Sequence, residues 1–151
     1  MIEFNECIEK GLLRKVPGSK EKALQSIEMT KELLQEATEN FEEKRINSTV
    51  IISYLAMFHA ARAILFKDGF REKSHECLIK YLEEKHPEIN SAFIEKLEKY
   101  KNERNKTQYD ITHRPTEEDA EEMLEFAEKF TEKIEELLES TPTEQGKDTK
   151  I

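Results

Sequence analysis

Between Val50 and Phe66 the chain reads VIISYLAMFHAARAILF, and this run limits the fold more than any other feature. A helix with one apolar stripe can lie on a protein surface, but a helix that is apolar nearly all round must be enclosed by neighbours. The run is short for a membrane span, which needs about 20 residues, and it carries Ser53, His59 and Arg62. It is therefore predicted as the central helix of a bundle, spanning about 47–67, and no membrane association is expected. Ala56, Ala60, Ala61 and Ala63 are small enough to let a neighbouring helix approach closely. With only four Gly and four Pro in 151 residues, the rest of the chain has little punctuation for a many-stranded fold. The fold class read from this is all-α: an up-and-down antiparallel bundle of five to six helices.

The other segments fit that class. Phe4, Ile8, Leu12 and Leu13 predict a short amphipathic helix over 3–14, ending near Val16-Pro17-Gly18. A second helix starts at Ser19 and carries Ala23, Leu24, Ile27, Leu33, Leu34, Ala37 and Phe41 at the helical period. Lys44-Arg45 interrupts it, and Asn47 or Ser48 is the expected cap of the central helix, which Gly69 stops. Ser74 caps a fourth helix that ends at about Lys85, before Pro87, and Ser91 opens a fifth that runs to Tyr109. After the connector Asp110–Pro115, Thr116 and Asp119 form a capping-box pattern ahead of a sixth helix. Residues 1–140 are read as one domain, and the polar stretch 141–151 as a disordered tail.

Eleven acids against Lys129 and Lys133 in residues 116–140 account for the whole net charge of −9. Residues 1–115 are neutral overall, so the acidity belongs to one covering helix and does not exclude a polyanionic partner for the remainder. Cys7 and Cys77 have no zinc-ligand spacing and are expected as two reduced, small apolar residues of a cytoplasmic protein. Glu3, Glu6 and Glu9 stand where the apolar part of a signal peptide would lie.

The polar residues of the central helix, Tyr54, His59 and Arg62, have two readings. Either they are satisfied core groups, or their tips line a cleft beside the fifth helix. That fifth helix ends LEKYKNERNKTQYD, with Arg104 and Asn105 one turn before Gln108 and Tyr109. Guanidinium, carboxamide and phenol suit a phosphate and a base: forked charge on the anion, hydrogen bonds and a stacking face on the nucleobase. Lys101 and Lys106 add positive charge nearby. Standing alone, such residues are usually a solvated helix face.

The phrase YLAMFHAARAILFKDG, the Ser74-His75 start of the next helix and the Arg104-x4-Tyr109 ending together resemble the HEPN superfamily. The closer likeness is to its small stand-alone prokaryotic members, and it covers about residues 20–138. The resemblance implies a helical bundle that dimerises through its core helices, binds nucleotide or RNA, and partners a minimal nucleotidyltransferase in a toxin–antitoxin-like module. Many ribonuclease members use an Arg-x4-His motif without metal. Here Arg104 fills the arginine position and Asn105 the polar position beside it, while Tyr109 replaces the histidine. A phenol with a pKa of about 10 is a poor general base at neutral pH, so binding is favoured over ribonuclease activity. A metal-independent endoribonuclease using Arg104 and Tyr109, and a purely structural helical partner, stand as the alternatives.

Among the other histidines, His113 lies in the connector, His75 reads as a helix-start packing residue, His59 as a core hydrogen-bonding group, and His86 has no assigned role. The sequence has no Gly-rich phosphate loop, no HExxH and no paired ExxH motifs, so neither metal nor cofactor is expected.

Overall fold

The computed structural model describes the backbone of residues 2–150 and the side chains of residues 2–140. Its elements are α1 (Phe4–Glu9), β1 (Leu13–Lys15), α2 (Lys20–Glu42), α3 (Ile46–Asp68), β2 (Phe70–Glu72), α4 (His75–Lys85), α5 (Ser91–Tyr109) and α6 (Glu117–Lys150). This is an all-α bundle with one two-stranded ribbon attached. The backbone of 141–150 is described as the last part of α6, and the side chains of 141–151, the stretch read from the sequence as a disordered tail, lie outside the described residues.

Helix α3 is the hub, packed most extensively on α2, then on α6 and α5. Its apolar stretch is long enough to cross a membrane, but 61% of it is buried inside the fold. Ala56, Ala60 and Ala63 are fully buried, and two hydroxyls of α2 use the resulting closeness. Ser26 Oγ donates to the His59 carbonyl at 2.7 Å. Thr30 Oγ1 donates to the Ser26 carbonyl at 2.9 Å and lies 3.4 Å from the Ala56 carbonyl. Met57, Ile64, Leu78, Phe130 and Ile134 fill the shared core. Truncating a buried phenylalanine such as Phe130 to alanine costs about 3–5 kcal/mol.

The caps at Ser19, Ser74 and Thr116 form as their local sequence predicts. Asp119 Oδ2 returns the bond to the Thr116 amide at 3.0 Å, completing the box. The α5 cap is Asn90, one residue before the expected start, and α3 begins at Ile46 without a side-chain cap.

Two expectations are overturned. The first helix is six residues long and does not reach residue 14. Gly11 (φ 69°) turns the chain, and Leu13–Lys15 pairs antiparallel with Phe70–Glu72, Leu13 facing Glu72. Leu13 is buried on a strand, so its spacing from Phe4 mimicked a helical face. The second correction concerns Cys7 and Cys77, which are joined as a disulfide across a separation of 70 residues, with Cα atoms 5.8 Å apart. The bond ties α1 to the first turn of α4. Two isolated cysteines gave no sign of this, because only the fold brings them together.

Candidate functional site

Tyr54, Phe58, Arg62 and Phe66 recur every four residues on α3 and therefore form one stripe along it. His75, the first residue of α4 after the Ser74 cap, is set against this stripe. Its imidazole stacks on Phe58, with centroids 4.1 Å apart and planes at 12°, and on Tyr54 at 5.7 Å and 19°. The Tyr54 hydroxyl lies 3.0 Å from His75 Nδ1. Burial pushes the Tyr54 phenol well above its ordinary range, and the nearby Arg104 only partly opposes this. The phenol therefore donates to Nδ1 and sets His75 as the Nε2–H tautomer.

Arg104 of α5 covers the other end of the stripe, its Cζ 5.0 Å from the centre of the Tyr54 ring. Its Nη1 donates to Gln108 Oε1 at 3.1 Å, and its Nε is buried with no hydrogen-bond partner. Among the described residues it has no ion-pair partner. Lys101, one turn earlier, is half-sheltered and shared between Glu98 at 3.2 Å and Glu76 at 3.8 Å. Burial, followed by the positive charges of Arg104, Lys101 and Arg62, lowers the pKa of His75 to about 4. At neutral pH this cluster is a guanidinium and a neutral imidazole set around two aromatic rings.

Further along the stripe, Arg62 lies over the faces of Phe58 and Phe66, at 5.2 and 5.5 Å, and pairs with the buried Glu72 of β2 at 3.2 Å. His59 meets Phe58 edge-on, and its pKa is lowered by burial and by Arg62. Its ring has no hydrogen-bond partner among the described residues, so the expected core hydrogen bond is made by its backbone carbonyl alone.

Of the residues singled out in the sequence, the structure brings together Arg104, Tyr54 and Lys101, with Arg62 joined through Phe58. It does not place Asn105, Lys106 or Tyr109 in this cluster. Asn105 and Lys106 are exposed, and Tyr109, 71% exposed at the end of α5, makes no ring contact among the described residues. His75 is the helix-start packing residue expected, stacked on Phe58 and Tyr54; the signal that would also have joined it to Arg104 is the i, i+4 stripe beside a Ser-His helix start. His113 bonds to Glu103 and fastens the connector onto α5. His86, without a role in the sequence, bonds to Asp68 Oδ2 at 2.5 Å and Glu88 Oε1 at 2.7 Å, while the Tyr81 hydroxyl donates to the same Asp68 oxygen at 2.7 Å. Among the described residues no cluster of three or more His, Cys, Asp or Glu could hold a metal ion.

A helical bundle with a sheltered, unpaired arginine at the end of its fifth helix defines a class that the comparisons narrow further. The family model of the HEPN domain matches residues 23–137. The chain is also 34% identical, over 138 residues, to a protein of Methanocaldococcus jannaschii named "Putative toxin MJ0605", covering 85% of this chain and 96% of that relative. This protein belongs to the HEPN family.

Proposed function

We propose that this protein is the toxin-type component of a toxin–antitoxin-like pair and binds the phosphate of a nucleotide or RNA at Arg104. The observation that carries the reading is the Arg104 guanidinium: sheltered against Tyr54, with its Nε unsatisfied, and without a carboxylate partner among the described residues of an acid-rich chain. An arginine left in this state favours an external anion, because a phosphate supplies both the charge and the missing acceptor. Lys101 adds to the local field. The toxin name of the similar archaeal protein supports the role.

A minimal nucleotidyltransferase is the proposed protein partner, and a homodimer the proposed assembly. The face of α3 left partly open by Ile51, Leu55 and Phe58, spaced three and four residues apart, is the apolar surface suited to a second copy. Light scattering is expected to return twice the chain mass of 17.8 kDa; the monomer mass at micromolar concentration would refute the dimer. A cytoplasmic location is proposed with it. The Cys7–Cys77 bond is consistent with that location in cells that keep intracellular disulfides, as hyperthermophilic archaea do.

Calorimetric titration with short RNA, comparing wild type with Arg104→Ala, tests the binding reading. Loss of binding on substitution is expected, and equal binding would sink it. A second reading, metal-independent RNA cleavage, is favoured by one observation: a neutral imidazole, His75, beside the arginine. Cleavage in EDTA that disappears in both Arg104→Ala and His75→Ala would support it.

A further inference from the structure

At the opposite end of the stripe, the ribbon, the start of α2 and the last turns of α3 enclose an open-sided cavity of about 640 Å³. This is within the usual range for small-molecule sites, roughly 300–1,000 Å³. Lys22, Arg62 and Arg71 line it together with His59, while Phe66 and Met29 provide apolar wall. Among the described residues no carboxylate lines it, although acids outnumber bases 33 to 24 in the chain. Neither Lys22 nor Arg71 has an ion-pair partner among the described residues, and Arg62 is partly neutralised by Glu72 behind it. The His59 imidazole, with no hydrogen-bond partner among the described residues, adds a neutral donor or acceptor.

The wall is fastened to α3 by backbone hydrogen bonds. Val16 N donates to the Gly69 carbonyl at 2.9 Å, and Ser19 N donates to the Phe66 carbonyl at 2.8 Å. Gly18 lies so close to α3 that a Cβ there would sit 2.7 Å from the Lys67 carbonyl oxygen. Gly69 (φ 85°) would clash with the Val16 carbonyl at 2.6 Å in the same way. These two glycines allow the segment before α2 to close one side of the cavity against the end of α3.

We propose that this cavity is a second anion site, distinct from Arg104, which binds an organic di- or triphosphate. Three cations and one flanking carboxylate leave a surplus of two positive charges, which suits a ligand of two or more negative charges. Phe66 and Met29 suit a planar or apolar body attached to it. A bare phosphodiester strand carries one charge per unit and uses this concentration of cations less well. The site does not depend on the Arg104 reading, since the two share no cation.

The test is calorimetric titration of the full chain with ATP in EDTA, with inorganic tripolyphosphate, and with adenosine. Wild type, Arg104→Ala and the double variant Lys22→Glu/Arg71→Glu are compared. ATP is expected to occupy the cavity in wild type and in Arg104→Ala alike, and to bind there at least about tenfold more weakly in the double variant, as loss of charge-assisted contacts implies. Tripolyphosphate should bind, and adenosine should be at least about tenfold weaker than ATP. Both substituted side chains are exposed, and thermal melts check the fold; the milder pair Lys22→Gln/Arg71→Gln should show the same loss on a smaller scale. If Arg104 binds no nucleotide, wild type and Arg104→Ala give one identical isotherm and the cavity proposal stands. ATP binding that is absent from wild type, unchanged in both cavity variants, or abolished by Arg104→Ala alone would overturn it, as would adenosine binding as tightly as ATP.

Discussion

His75 and His86 stand at the two ends of α4, each packed on aromatic rings, and their surroundings treat the proton in opposite ways. His86 is partly buried, which alone would discourage charge, but Asp68 and Glu88 outweigh this and raise its pKa. Burial also opposes charge on Asp68, yet hydrogen bonds from His86 and Tyr81 hold its carboxyl below the ordinary range. His75 has no acidic partner among the described residues and faces Arg104, Lys101 and Arg62, so burial and like charge act together to keep it neutral. At one end, the complete one, His86 has acidic partners; at the other, the incomplete one, Arg104 has no ion-pair partner among the described residues. The complete end uses its charges within the fold, while Arg104, at the incomplete end, is the group proposed above to take an anion.

The largest expected effect comes from the bond that anchors the His75 end. Reducing Cys7–Cys77, or replacing both residues with serine, releases a 70-residue loop and should cost about 4 kcal/mol in the chain-entropy account. That corresponds to a melting-temperature fall of roughly 10 °C by calorimetry. No change on reduction would show that α4 is held without the staple.

Next in size is the complete end. Asp68→Asn removes the charge that both His86 and Tyr81 address, and urea denaturation should register a loss of about 2–3 kcal/mol. Arg104→Ala, at the incomplete end, should change stability by less than about 1 kcal/mol. A large loss there would make Arg104 a structural residue and remove the contrast between the ends.

The pH dependence separates the two histidines by sign. The raised pKa of His86 contributes stability in full below its unfolded value near 6.5 and loses it as pH rises through the folded value. The lowered pKa of Asp68 contributes above its unfolded value near 4 and is lost as pH falls through the folded value. His75 acts in reverse to His86. With a folded pKa of about 4, its contribution is full above about pH 6.5 and declines as pH falls toward 4. Comparing His75→Gln with wild type should therefore reveal a pH slope between about 4 and 6.5, and comparing His86→Gln with wild type one of opposite sign above about pH 6.5, each at most about 1.4 kcal/mol per pH unit.

The smallest effect sharpens the contrast most directly. Binding of a phosphate at Arg104 would offset the positive charge that lowers the His75 pKa. NMR titration should then show the His75 pKa rising when nucleotide is added, with His86 unmoved. Equal shifts at both, or none at His75, would place the anion elsewhere.

Much of this was readable along the chain because it rests on local relations. The enclosed α3, the caps at Ser19 and Ser74, and the Thr116–Asp119 box depend on residues within a few positions of one another. Arg104 could be singled out as a phosphate-binding candidate, because its residue type and the helix that carries it are both local properties. Tyr109 was grouped with it by sequence proximity, yet five residues on a helix set the two side chains about 140° apart, and Tyr109 projects into solvent.

What depended on distant partners could not be read in advance. The Leu13–Lys15 ribbon forms only because Gly69 turns the chain so that Phe70–Glu72 can meet it. Cys7 meets Cys77, and His75 meets Tyr54, only after α4 folds back onto α1 and α3. The sequence by itself determined an all-α bundle around one apolar helix, since periodicity and capping are short-range. Which polar groups found partners, and which cations were left without one, was decided by tertiary packing, because charge pairing and burial depend on distances through space.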